Sequence, residues 1–138
     1  SGLFDALDGI VARLSNKRSA VGGFLDAVSD RYSDALLILG IIVGSYCDIL
    51  VGIVALSGSI LVSYVRARAE SLGVHELGIG IAERPERLII LMIGTALEIF
   101  YTGGLYVCMI LLAILTHITV LHRIFYALKN LGSDQKRD

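Results

Sequence analysis

With 138 residues, a net charge of −1, 55% hydrophobic residues and only 18% charged ones, the chain is too oily for an ordinary soluble domain, where about a quarter of residues carry charge. Mean hydropathy is +0.75, and Leu, Ile and Val come in long blocks rather than amphipathic stripes. That leaves a polytopic, all-α integral membrane protein, one transmembrane domain over 1–138, with membrane lipids around it and no nucleic-acid partner expected.

The chain opens at Ser1 inside a helical pattern. Only about a dozen residues precede the polar stretch "RLSNKR", fewer than the roughly 20 that cross a bilayer, so one whole helix and most of a second are expected upstream. Five helices are predicted. The first covers about 2–14 and the second about 20–46, wholly apolar from Ala35 to Val43. The third covers about 49–71, with "ILVGIVALSGSILVSYV" as its uncharged body. After the polar connection "RARAESLGVHELGIGIAERPER" the fourth runs over about 88–101. "TGG" then turns the chain, and the fifth covers about 105–128. Pro85 is the single proline; Cys47 and Cys108, with no C-x-x-C spacing, read as buried small hydrophobes.

All twelve Lys and Arg fall within 13–31, 66–87 or 123–137. If the chain crosses at each helix, these regions share one face and the turns near Asp48 and Thr102 share the other. The positive-inside rule makes the basic face cytoplasmic.

Near that face stand aspartates in an apolar setting. Asp5 and Asp8 are i, i+3 and share a helix face; Gly22, Asp26 and Asp30 are i, i+4, i+8 and share another. Two antiparallel helices would point the four carboxylates at one another. An Asp costs about 2.5–3.5 kcal/mol at a membrane centre, and hard divalent ions that prefer carboxylate oxygen would relieve it. Salt bridges to Arg13, Lys17, Arg18 and Arg31 are the plainer alternative, and Asp34 reads as a partner of Arg31.

The pattern D-x-x-D-G-x-x-A-R, eight residues, then G-x-x-x-D-x-x-x-D resembles the signature of the CDP-alcohol phosphotransferases. It is carried here without departure by Asp5, Asp8, Gly9, Ala12, Arg13, Gly22, Asp26 and Asp30. The resemblance implies a six-helix metal-dependent transferase that forms homodimers. It implies that Asp5, Asp8 and Asp26, with Asp30 beside them, hold two Mg²⁺ or Mn²⁺ ions against the diphosphate of a CDP-linked lipid. Asp30 would be the general base, and Gly9, Ala12, Arg13 and Gly22, with Asp5, would line the CDP-lipid site.

A second cluster follows in "SYVRARAES" and "IAERPERLII", which are similar to segments of the inositol-phosphate-using branch of that family, bacterial and archaeal. Arg66, where bacterial members often carry Lys, tilts the likeness toward the archaeal side. The resemblance implies that Arg66, Arg84, Arg87 and Arg123 bind the acceptor's phosphate, whose oxygens suit guanidinium forks. Glu83 and Glu86 could orient them or be surface pairs, and Arg68 is as well read as a headgroup anchor. His75, His117 and His122 read as polar packing; Tyr64, Tyr101 and Tyr106 read as interfacial residues. Rival readings are a transferase using another acceptor such as glycerol phosphate, a prenyltransferase, and a cation carrier that releases no CMP.

Overall fold

The computed structural model describes the backbone of residues 2–75 and 80–134 and the side chains of residues 20–75 and 80–133. The expectations placed on the side chains of Asp5, Asp8, Ala12 and Arg13, and on the surroundings of Gly9, lie outside the described residues. Four helices are found in that range: α1 (Gly2–Val43), α2 (Ile49–Ser71), α3 (Arg84–Phe100) and α4 (Gly104–Asp134). No strand occurs among the described residues, so the all-α expectation holds.

The expected break between the first two helices is not there. α1 is continuous from Gly2 to Val43, because neither glycine nor proline occurs from Ile10 to Val21 and "RLSNKRSA" carries no strong helix breaker. Polarity by itself does not end a helix. α3 begins at Arg84, earlier than expected, because Pro85 sits in its first turn, where a missing N–H costs nothing. α4 outruns its expected end because Leu131 still packs beside Ala69, Val74 and Ala127. α2 has the bounds that its uncharged body suggested.

The chain divides into two units, Ser1–Ala35 and Leu36–Asp138. The first is a single helical segment whose Val21, Phe24 and Leu25 are exposed. In the second, the end of α1 turns through residues 44–48 into α2. α2 and α4 run parallel: Tyr106 Oη donates to Asp48 Oδ2 at 2.8 Å near their starts, and Arg123 Nη1 donates to the Val62 carbonyl at 2.8 Å about four to five turns on. α3 runs the opposite way, bringing Gly94 beside Leu105 and Cys108.

Small residues let these helices approach. Gly52, Ala55, Gly58, Ser59 and Val62 form the buried face of α2, and Ile38, Leu91, Met109, Leu112 and Ala113 complete the core around Ala55. A methyl at Gly58 would strike Thr116 Oγ1 and lie 2.8 Å from His117 Nδ1; close backbone packing of this kind holds helices together where lipid supplies no hydrophobic drive between them. His117 Nδ1 sits 2.9 Å from the Ala113 carbonyl, as polar packing predicts. α2 and α4 are long and apolar enough to cross a membrane, and large apolar side chains such as Leu50, Ile53, Leu121 and Phe125 remain exposed around the bundle.

Candidate active site

The antiparallel α3 and parallel α4 gather Arg66, Arg68, Arg84, Arg87 and Arg123 at one end of the second unit, opposite the turns at 44–48 and 101–103. The grouping read from the positions of Lys and Arg is therefore physical within this unit.

Glu83, the residue before α3, joins two of these arginines. Its Oε1 accepts from Arg123 Nη2 at 2.9 Å and lies 3.7 Å from Arg66 Nη1. Arg66 Nε in turn donates to Glu70 Oε1 at 2.9 Å, one turn along α2. Arg123 is only 2% exposed. Its Nη1 is held by the Val62 carbonyl, and its Nε, like Ser59 Oγ, is a buried polar atom without a hydrogen-bond partner. Gly80 lies against this guanidinium: a Cβ there would be 2.8 Å from Nη2 and 3.0 Å from Thr119 Cγ2.

Arg87 is buried as well, and Nη1 donates to the Ser59 carbonyl at 3.3 Å, so one of its functions is to tie α3 to α2. Arg84, its neighbour on the first turn of α3, is half-buried. Arg68 is exposed, with Nη1 3.5 Å from Ser71 Oγ, which suits an anchor. The sequence pattern found these cations but left Glu83 undecided between orienting the arginines and pairing at the surface. No spacing rule foretells that residues 66, 83 and 123 meet.

In the first unit α1 keeps Gly22, Asp26 and Asp30 on one face, as their four-residue spacing requires. Asp30 Oδ2 lies 4.0 Å from Arg31 Nη1, while Arg31 Nη1 also donates to the Ala27 carbonyl at 3.1 Å. Asp26 and Asp30 offer the hard oxygen donors that a divalent cation takes, so the donor chemistry fits. No cluster of three or more potential ligands lies together among the described residues. Because α1 is continuous, the backbones of Asp8 and Asp26, 18 residues apart, are about 27 Å apart along its axis, and gathering all four aspartates requires the chain to fold back between them.

Residues 1–129 match the profile of the CDP-alcohol phosphatidyltransferases. This chain belongs to that family. It is 45% identical over 132 residues to an archaetidylinositol phosphate synthase of Methanothermobacter thermautotrophicus, covering 95% of this chain and 67% of that protein. It is 35% identical over 133 residues to a phosphatidylinositol phosphate synthase of Mycobacteroides abscessus, covering 88% and 58%. The crystal structure of the Mycobacterium tuberculosis phosphatidylinositol phosphate synthase with CDP-DAG bound superposes with a TM-score of 0.71 at 32% identity, over 78% of this chain and 58% of that one. The chain thus spans roughly three-fifths to two-thirds of these relatives. The family is divalent-metal dependent, and its apolar spans and relatives make this a membrane protein.

Proposed function

We propose that this chain carries the catalytic part of an enzyme that transfers the phosphatidyl or archaetidyl group of a CDP-linked lipid to inositol phosphate and releases CMP. The observation that carries the acceptor is the meeting of Arg66 and Arg123 on one carboxylate oxygen, with Arg84 beginning the next helix. Two guanidinia already focused on an oxyanion are suited to a phosphate. The names of the relatives, archaeal and bacterial, point to the same acceptor.

In this reading Asp5, Asp8, Asp26 and Asp30 hold Mg²⁺ or Mn²⁺, two ions per site, with the stretch between Leu14 and Ser19 turning so that the two halves of α1 lie antiparallel in the assembled protein. Bound there, the ions neutralise charge building on the diphosphate. Asp30 takes the proton of the inositol hydroxyl. The hydroxyl oxygen bonds to the β-phosphorus, the bond from that phosphorus to the bridging oxygen breaks, and CMP leaves with its electrons. Gly9, Ala12, Arg13 and Gly22 form the CDP-lipid cradle, where small residues leave room for the nucleotide. Arg66, Arg84, Arg87 and Arg123 orient the acceptor. The site faces the cytoplasm, since the basic end does, and the protein works as a multi-pass homodimer with 1–138 in one domain.

The test is an acceptor screen with the full-length protein in detergent, CDP-lipid and Mg²⁺ or Mn²⁺. CMP release with inositol phosphate, and not with inositol, glycerol phosphate or serine, is expected. Release with glycerol phosphate instead moves the protein to another branch of the family, and no release with any acceptor overturns the reading.

A further inference from the structure

Glu83 bridges two of the arginines to which the acceptor reading assigns the phosphate. Its Oε1 is shared by guanidinia from two helices, at 2.9 Å from Arg123 Nη2 and 3.7 Å from Arg66 Nη1. Arg123 cannot follow its partner, for it is 2% exposed and bonded to the Val62 carbonyl. Glu83 can move: its side chain is 35% exposed. It is the N-cap residue of α3 yet makes no side-chain cap bond, and the first N–H groups of any helix lack intrahelical partners. Arg123 is fixed, Arg66 reaches in from the surface with its side chain 52% exposed, and the carboxylate they share is exchangeable.

We propose that Glu83 is a resident carboxylate that the acceptor's phosphate displaces, and that it sets the selectivity of the pocket for phosphate monoesters. This rests on the acceptor reading above and adds a role to a residue outside the arginine set. Before the acceptor arrives, Glu83 neutralises a buried guanidinium that would otherwise be costly to fold around. A dianionic phosphate brings more charge and more oxygens than the carboxylate and takes its place. An unphosphorylated polyol brings none, so it cannot compensate the Glu83 ion pairs that it would break.

The experiment uses the full-length protein with Glu83→Gln and Glu83→Asp, in two arms. In steady-state kinetics, Glu83→Gln is expected to lower the KM for inositol phosphate about tenfold, while kcat and the KM for CDP-lipid stay within about twofold. Glu83→Asp keeps the charge but draws it back by one methylene from Arg123, so it is expected to lower that KM by less than Glu83→Gln does. In thermal unfolding, Glu83→Gln melts lower than the parent without anions, and inorganic phosphate raises its midpoint by more than it raises the parent's. A KM that rises, as for loss of an arginine, overturns the proposal, as does equal stabilisation of both proteins by phosphate. A Gln variant that is not recovered even in phosphate overturns it too, because phosphate should replace the carboxylate. If the parent releases no CMP with inositol phosphate, the acceptor reading fails by itself, and the inorganic phosphate arm still decides the role of Glu83.

Discussion

Replacing Arg123 with lysine keeps the charge and removes the fork. Arg123 donates from Nη1 to the Val62 carbonyl at 2.8 Å and from Nη2 to Glu83 Oε1 at 2.9 Å. A single ammonium on a linear stem cannot serve both acceptors in the geometry of a planar guanidinium. At 2% exposure water does not replace the missing donor. The loss is therefore about one charge-assisted hydrogen bond, roughly 1.5–3 kcal/mol, equivalent to about 10- to 150-fold in an equilibrium constant. With CDP-lipid saturating, the KM for inositol phosphate should rise by one to two orders of magnitude while kcat changes little, and the thermal midpoint should fall because the Val62 or Glu83 contact is lost. A KM within about twofold of the parent, in a protein that melts normally, would show that Arg123 ties helices together and does not meet the acceptor.

The other outcomes are simpler to read. Asp30→Asn or removal of divalent ions with EDTA should abolish CMP release; turnover surviving in the Asn variant removes Asp30 from the base role. Gly58→Ala should destabilise the protein by about 1–3 kcal/mol, the usual cost of overpacking, because the added methyl meets Thr116 and His117 where α2 and α4 touch; an unchanged melting midpoint refutes that packing. Glu98→Gln should lower the melting midpoint and leave kcat unchanged, since Glu98 caps α4 by accepting from the N–H groups of Gly103 and Leu105 at 2.9–3.1 Å, at the end of the bundle away from the arginines.

The spans were legible where hydrophobicity alone decides the answer. Residues 49–65 form an uncharged run between Asp48 and Arg66, and the helix runs on through the arginines to Ser71, so α2 has the expected bounds. The ends set by packing were not legible: nothing local at Leu128 shows that Leu131 will rest against Ala69 and Val74. The turn between Leu14 and Ala20 was inferred from charge, and the intrinsic preference of those residues runs the helix through it instead. At the site, residue type and membership of the basic end could be read from the chain, because arginine chemistry and the alternation of spans are local facts. That Glu83 is the partner of both Arg66 and Arg123, and that Gly80 must lack a side chain beside them, depends on three helices meeting. Such contacts leave no periodic trace.

The central claim is that carboxylates on both sides of residues 14–19 share the same divalent ions. Mn²⁺ binding to the full-length protein, followed by electron paramagnetic resonance in Asp8→Asn, Asp26→Asn and the double variant, tests it most directly. Shared ions predict two coupled Mn²⁺ per protomer, with each single variant weakening both and the double variant losing little more than either single one. Losses that simply add, with two magnetically independent sites, would mean that the two halves of α1 never hold an ion between them.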